Sequence, residues 1–317
     1  AQVIPLTDYG WLTIPANLVR FLGWSGDQGV QVFLIASGFG LTWGFLVRGG
    51  LLPISVGAFY KRRLLRLFPL WWGAHVLFMA TWVLVGWGLS LKDPATYLSF
   101  IGLRVTPDTF YYFSPAWWFI GLLIQLYLLF PALWGALRRI GPAWLLAVSC
   151  AIAFAVRAVG LAALQDHPYL DLWHRGAFFI TRMPEFVFGI SLAYWLWCKP
   201  GATQHALTRP LTLIGAGVVY GIGAMLSFTL LGMTVAPFLV GAAAFVIIYR
   251  FTSGITRQTR ATEVGKWVGE HSYSLYLVHH PMIIMLVPAA GLAAGTLRNA
   301  AGIAAAVAAT VTLAVLL

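Results

Sequence analysis

Residues 29–47 read GVQVFLIASGFGLTWGFLV and contain no charged residue. A helix needs roughly 20 mostly apolar residues to cross a bilayer, so this stretch predicts a transmembrane helix. The whole chain has the same character, because 60% of its 317 residues are hydrophobic and only 9% are charged. Soluble globular domains carry about 25% charged residues. The composition therefore predicts a polytopic membrane protein.

Nine apolar runs, bounded by charged residues, proline or glycine, are long enough to be membrane spans. They cover residues 29–47, 67–88, 117–137, 143–164, 177–197, 211–231, 233–248, 274–294 and 300–317. We expect an all-α helical bundle that forms one integral-membrane domain over residues 1–317. Residues 1–28 are expected to form an extracytoplasmic loop, and residues 29–317 the transmembrane helices and their connections.

The distribution of cations predicts the orientation. Thirteen of the 20 Lys and Arg fall in one set of alternate loops, and cytoplasmic loops carry the excess of these residues. That set includes the cations of residues 61–66. The other set is predicted to face outward and holds Arg20, Lys92, Arg104, Arg157, Arg175, Arg182 and Arg298. Because an external start at Ala1 without a signal-peptide pattern is unusual, we expect one further helix upstream.

The densest charged stretch is Tyr60-Lys61-Arg62-Arg63-Leu64-Leu65-Arg66-Leu67-Phe68-Pro69, just before a predicted span. If this stretch is helical, Arg63 and Arg66 share a face. Two neighbouring guanidinium groups can hold a phosphate or pyrophosphate at several oxygens, which a single lysine cannot do. The same cations also fit a purely topological role at anionic lipid head groups.

Ionisable residues within predicted spans are costly to bury and point to function. Arg182 and Glu185 lie three residues apart in a helix that Pro184 should loosen, and they predict either an internal ion pair or a substrate-binding pair. Arg157 is expected to extend outward to the membrane surface. His75 lies near the middle of a span, where a lone histidine more often packs with a hydrogen bond than acts as a base.

Small residues and tryptophans predict contacts between helices and with the membrane surface. Three glycine pairs at four-residue spacing predict close helix packing, namely Gly40 and Gly44, Gly217 and Gly221, and Gly291 and Gly295. Six tryptophans near span ends predict an interfacial belt, namely Trp71, Trp72, Trp117, Trp118, Trp195 and Trp197.

Several functional classes are disfavoured. The net charge of +11 is spread too thinly for a nucleic-acid surface. The sequence has no Gly-rich phosphate loop with Lys-Ser/Thr, no His-Glu-x-x-His metal pair and no Gly-x-Ser-x-Gly elbow. ATP-driven pumps, zinc proteases and lipase-type hydrolases are therefore disfavoured, and no metal site is expected.

Four segments share an order and spacing with one known family. They are Ser37-Gly38-Phe39, Arg63-Leu64-Leu65-Arg66 with Pro69, Trp117-Trp118-Phe119 with Gln125, Tyr127 and Pro131, and Ser272-Tyr273-Ser274-Leu275-Tyr276-Leu277-Val278-His279-His280-Pro281. Together they resemble the acyltransferase-3 family of membrane O-acyltransferases, which move acyl groups onto extracytoplasmic sugars and related acceptors. The resemblance implies ten membrane helices. It places the first helix, with an Arg and the catalytic His eleven positions later, upstream of Ala1.

The resemblance also implies the substrates. Acyl-CoA, with acetyl-CoA as the simplest case, would be the donor, and no cofactor would be bound. Arg62, Arg63 and Arg66 would hold its nucleotide at the cytoplasmic side, while the acceptor would be a hydroxyl of a cell-envelope carbohydrate or a similar compound. The predicted substrate pathway contains Ser37, His75, Arg182, Glu185, Tyr276 and His279. The expected location is a bacterial plasma membrane.

A transporter or flippase for a small solute or lipid-linked sugar is the alternative. The intramembrane residues Arg182, Glu185 and His75, and helices broken at Pro184 and Pro281, would also suit a solute path. Transporters often have duplicated halves, and no internal symmetry is visible here. A non-catalytic membrane scaffold is a third reading, which the four segments disfavour.

Overall fold

The computed structural model describes residues 28–49, 55–84, 92–253, 260–289 and 310–315, together with positions 52, 86 and 308. Within these ranges the regular structure is helical, which confirms the all-α prediction. The predicted loop of residues 1–28 and most of the predicted span 300–317 lie outside the described residues.

The helices follow one another with short connections. In chain order they are α1 (Gly29–Gly49), α2 (Val56–Leu84), α3 (Pro94–Phe100), α4 (Pro107–Phe110), α5 (Trp118–Leu164), α6 (Tyr169–Arg175), α7 (Met183–Cys198), α8 (Pro200–Thr208), α9 (Pro210–Leu226), α10 (Ala236–Ser253) and α11 (Arg260–Ala289). Three 3₁₀ turns lie between them, at Pro115–Trp117, Phe179–Arg182 and Gly232–Thr234.

The outward faces of these helices are apolar. Four described helices are long and apolar enough to cross a bilayer, or up to six if each of two bent pairs is one span. On α9, for example, Leu211, Ile214, Val218 and Met225 are all exposed. Apolar surface of this extent suits lipid better than water. The chain is thus a helical membrane protein, and the count of nine spans stays a prediction.

Helix α5 is broken between two predicted spans. Gly141 has φ 77° and ψ 169°, a left-handed conformation that glycine adopts without strain. Pro142 follows and, because it lacks an N–H group, it can begin a helix more readily than continue one. The break therefore separates residues 117–137 from residues 143–164, as the hydropathy pattern predicts.

The chain divides into two compact units. The first contains Ala1–Ile54 and Gln125–Gly254, and the second contains Ser55–Ile124 and Ile255–Leu317. In the first unit α1 packs against α7, and α9 packs against α10. In the second unit α11 packs against α2.

Two glycines let α1 and α7 touch through their backbones. A Cβ atom at Gly38 would lie 2.1 Å from the carbonyl oxygen of Phe186, and one at Gly189 would lie 2.0 Å from that of Ile35. Side chains at these positions would hold the helices apart. Gly38 belongs to the Ser-Gly-Phe segment, so this segment has a packing role.

The predicted packing at glycines with four-residue spacing has no counterpart among the described residues. A Cβ atom at Gly40, Gly217 or Gly221 would meet no described atom within 4 Å, and one at Gly44 would meet only the side chain of Arg48. These glycines face away from the described neighbours. Gly291 and Gly295 lie outside the described residues.

The second unit is held together by aromatic donors. Trp117 Nε1 donates to the carbonyl oxygen of Leu277 at 2.9 Å, and the Tyr273 hydroxyl donates to that of Leu67 at 3.0 Å. Both bonds fix α11.

The predicted interfacial tryptophan belt is wrong for part of its members. Trp71, Trp117 and Trp118 are buried, Trp195 is half-buried, and Trp72 and Trp197 are exposed.

Candidate functional site

The predicted acyl-CoA-binding arginines form one basic surface on α2. This helix begins at Val56, eleven residues before the predicted span, so the cations lie within it. Arg62 and Arg66 are exposed, and Arg63 is half-buried with its guanidinium carbon 5.9 Å from the centroid of the Phe59 ring. Residues three and four apart are neighbours on a helix surface. Arg66 is thus a neighbour of both Arg62 and Arg63 on the helix surface, where an apolar helix begins.

His75 lies further along α2 and is enclosed. Its Nδ1 is 3.0 Å from the carbonyl oxygen of Trp71, and its Nε2 is 3.1 Å from Oγ of Ser99. The rings of Trp71 and Trp117 lie 4.2 and 4.5 Å from the imidazole, between centroids. Both ring nitrogens are engaged and the side chain is buried. This geometry favours the packing role for His75 over a role as a base.

Arg104 anchors the loop around this histidine, although the sequence marks it only as a loop cation. Its Nη1 donates to the carbonyl oxygens of Thr109, Phe110 and Tyr112 at 3.2, 3.3 and 2.9 Å. Its Nη2 donates to Oγ of Ser99 at 2.6 Å. Burial lowers the pKa of Arg104 to about 9, so the guanidinium group remains protonated at neutral pH. Its role is structural.

Tyr276 and His279 lie together on α11, as their spacing predicts. Their ring centroids are 5.4 Å apart, and His279 Nδ1 is 2.7 Å from the carbonyl oxygen of Tyr276. The Tyr276 hydroxyl donates to the carbonyl oxygen of Ala116. Ser37 belongs to the first unit, where it is half-buried on α1.

Arg182 and Glu185 do pair, but Arg157 completes a buried cluster with them in the first unit. Glu185 Oε1 accepts from Arg182 Nη1 at 3.3 Å and from Arg157 Nη2 at 3.2 Å. Arg157 Nη1 also donates to the carbonyl oxygen of Thr234 at 2.9 Å. The prediction that Arg157 extends outward is wrong, because the carboxylate and this carbonyl group hold it inside the protein.

The turn before α7 positions this cluster. Residues Phe179–Arg182 form a 3₁₀ turn, and α7 begins at Met183 with Pro184 in its first turn. Pro184 therefore starts a helix, and the prediction that it loosens the middle of one is wrong. Gln125 holds the preceding backbone, since its Nε2 donates to the carbonyl oxygen of Ala177 at 3.2 Å and its Oε1 accepts from the N–H of Phe179 at 3.1 Å.

Sequence reasoning did not select His174, which is buried on α6 beside this cluster. It lies within electrostatic reach of both Arg157 and Arg182. No pattern marks it, because it belongs to a short polar connection between two apolar runs. Among the residues that the structure describes, no three His, Cys, Asp or Glu side chains are grouped as a metal ion would require.

Comparison with known proteins agrees with the motifs. A family model described as an acyltransferase domain matches residues 3–317. No curated protein and no solved structure matches the chain. The matched range includes all four segments that carry the resemblance, from Ser37 to Pro281. With its helical membrane fold, the chain belongs to the acyltransferase-3 family and is a membrane acyltransferase.

Proposed function

We propose that this protein transfers an acyl group, acetyl in the simplest case, from cytoplasmic acyl-CoA to a hydroxyl of an extracytoplasmic carbohydrate or similar acceptor. The observation that carries the proposal is the basic surface of Arg62, Arg63 and Arg66 at the start of the apolar helix α2. Family membership supports the acyl transfer itself.

The basic surface suits the nucleotide end of acyl-CoA. That end carries several phosphates, and adjacent guanidinium groups can donate to many of their oxygens at once. The charge count predicts that this end of α2 faces the cytoplasm, where acyl-CoA is made. The pantetheine arm would then extend along the apolar part of the protein towards the other membrane surface.

The transfer exchanges one acyl bond for another. The acceptor hydroxyl oxygen attacks the thioester carbonyl carbon, the new C–O bond forms, and the C–S bond breaks. A general base takes the hydroxyl proton, which contributes typically about 10²- to 10⁴-fold, and the CoA thiolate leaves and is protonated. We assign this base to no described histidine, since both ring nitrogens of His75 are engaged and His279 lies in the inner part of its predicted span, away from an outer acceptor.

The test compares two double variants of the purified protein. The double variant Arg63→Ala with Arg66→Ala should weaken acetyl-CoA binding at least about tenfold, since each substitution removes charged hydrogen bonds from a guanidinium group to the CoA phosphates. Arg138→Ala with Arg139→Ala removes two exposed cations from the same predicted side, so it should leave binding unchanged. Equal affinities for the two doubles would instead support a purely topological role for the arginines.

A second measurement separates the enzyme from a transporter. Supplied with acetyl-CoA and a hydroxyl acceptor, the transferase releases free CoA thiol, whereas a carrier has no reason to cleave a thioester. Thiol release that depends on Arg63 and Arg66 supports the proposal. Acceptor movement across vesicles without thiol release contradicts it.

A further inference from the structure

The buried cluster of the first unit has an excess of positive charge. Among the described residues, two guanidinium groups, of Arg157 and Arg182, face one carboxylate, that of Glu185, and both contact the same Oε1 atom. The neighbouring charges Asp171 and Arg175 pair with each other at 3.0 Å near the surface. A buried charge requires a partner of opposite sign. The cluster therefore has room electrostatically for one monoanion.

The cluster also has hydrogen-bonding groups without partners among the described residues. These groups are Nε of Arg157, Nε of Arg182, Oε2 of Glu185 and both ring nitrogens of His174. Buried polar atoms are normally paired, with protein, water or ligand. The arginine groups are donors, Oε2 is an acceptor, and a neutral imidazole offers one of each. A matching ligand needs anionic oxygens as well as hydroxyl groups.

The exposed fractions of the side chains show where such a ligand enters. Arg157 and Glu185 are 0% exposed, whereas Arg182 and His174 keep 7% and 6% of their surface accessible. Arg182 and His174 are thus the least enclosed members of the cluster, so a ligand would reach it from their side.

We infer that Arg157, Arg182 and His174 form a binding site for the carboxylate of a hydroxylated organic acid, such as a sugar acid. The carboxylate completes the charge balance of the two guanidinium groups and accepts from their Nε–H donors. A hydroxyl of the same molecule donates to Oε2 of Glu185. A dianion fits less well, because Glu185 would repel its second charge.

The inference rests on the proposed function only in calling this molecule the acceptor. The charge count predicts that Arg157, Arg175 and Arg182 lie towards the extracytoplasmic surface, where the acceptor is expected. A carboxylate site at this surface would select acidic carbohydrates or hydroxy acids over neutral sugars. The binding itself is independent of acyl-CoA.

The experiment measures the melting temperature of the detergent-solubilised protein against ligand concentration. A ligand that binds only the folded state raises the melting temperature in a saturable way. The probes are D-glucuronate, D-glucose, which lacks the carboxylate, and acetate, which lacks the hydroxyls, all at equal ionic strength. We expect saturable stabilisation by glucuronate and at least about tenfold weaker binding of acetate. D-Glucose should give no stabilisation.

Three variants test the residues. Arg182→Gln should weaken glucuronate binding at least about tenfold. Glu185→Gln removes the competing negative charge, so its glucuronate-dependent rise in melting temperature should exceed that of the parent protein. It provides the test even if Arg182→Gln does not fold. The matched control is Arg175→Gln, which removes an exposed cation close to the cluster and should bind like the parent.

Absence of saturable stabilisation by glucuronate in the parent protein would overturn the inference, since the open groups would then bind only water. Equal affinity for acetate and glucuronate, or unchanged affinity in Arg182→Gln, would overturn it as well. These outcomes leave the proposed function standing if acetyl-CoA binding still depends on Arg63 and Arg66. Loss of that dependence would contradict the function and not the carboxylate site.

Discussion

The contact between α1 and α7 predicts that Gly38→Ala destabilises the protein. The added Cβ would lie 2.1 Å from the carbonyl oxygen of Phe186, whereas such contacts are essentially never below 3.0 Å. The helices must therefore separate by about 0.9 Å. Overpacking costs typically about 1–3 kcal/mol. The upper end applies because the contact is between the backbones of α1 and α7, which cannot move aside as a side chain can. Alanine regains about 1 kcal/mol of helix propensity, which leaves a net loss of about 2 kcal/mol.

The matched control is Gly217→Ala on α9, where the Cβ would meet no described atom within 4 Å. This variant should be as stable as the parent or more stable by up to about 1 kcal/mol. Equilibrium unfolding in mixed micelles, followed by tryptophan fluorescence, should therefore separate the two variants by about 2–3 kcal/mol. Gly189→Ala acts on the same contact, so its effect should be less than additive with that of Gly38→Ala. Equal stability of Gly38→Ala and Gly217→Ala would refute the backbone contact.

Two further predictions concern buried hydrogen bonds. Arg104→Leu should destabilise the protein by about 3 kcal/mol or more, since each unsatisfied buried group costs about 1–3 kcal/mol, and Arg104→Lys should recover only part of that loss. Thermal unfolding measures both, and a neutral Arg104→Leu would contradict the anchoring role. Gln125→Ala should cost about 1–3 kcal/mol and also weaken glucuronate binding, because the backbone before Arg182 loses its support. The exposed Gln204→Ala is its control, and an effect of equal size there would contradict the prediction.

The hydropathy pattern predicted the positions of helices better than their ends. The first predicted span, 29–47, matches α1 to within two residues, and the break at Gly141 lies between two predicted spans. By contrast, α2 and α11 begin eleven and fourteen residues before their predicted spans. The reason is physical, since a helix continues past the membrane surface, where charged residues are well solvated. Hydropathy locates the apolar part of a helix and not its termini.

The sequence predicts those parts of the candidate site in which two residues are neighbours because of their spacing on one helix. Arg63 and Arg66 are neighbours because they lie three positions apart on α2, and Arg182 and Glu185 pair across one turn. Arg157, twenty-eight residues from Glu185, has no such relation in the sequence. Whether an intramembrane arginine extends to the surface or turns inward depends on which side of its helix carries it. Composition and hydropathy are the same in both cases.

The same limit explains the glycines and tryptophans, and it shows why the buried cluster is informative. A spacing of four residues selects one face of a helix, but lipid and protein can both border that face, so the spacing marks Gly217 and does not mark Gly38, which contacts α7. A polar group differs from a glycine in one respect, because its burial without a hydrogen-bond partner is unfavourable both in lipid and inside the protein. The buried cluster retains such groups without partners among the described residues, on Arg157, Arg182, Glu185 and His174. The inferred acidic ligand would supply partners for these groups.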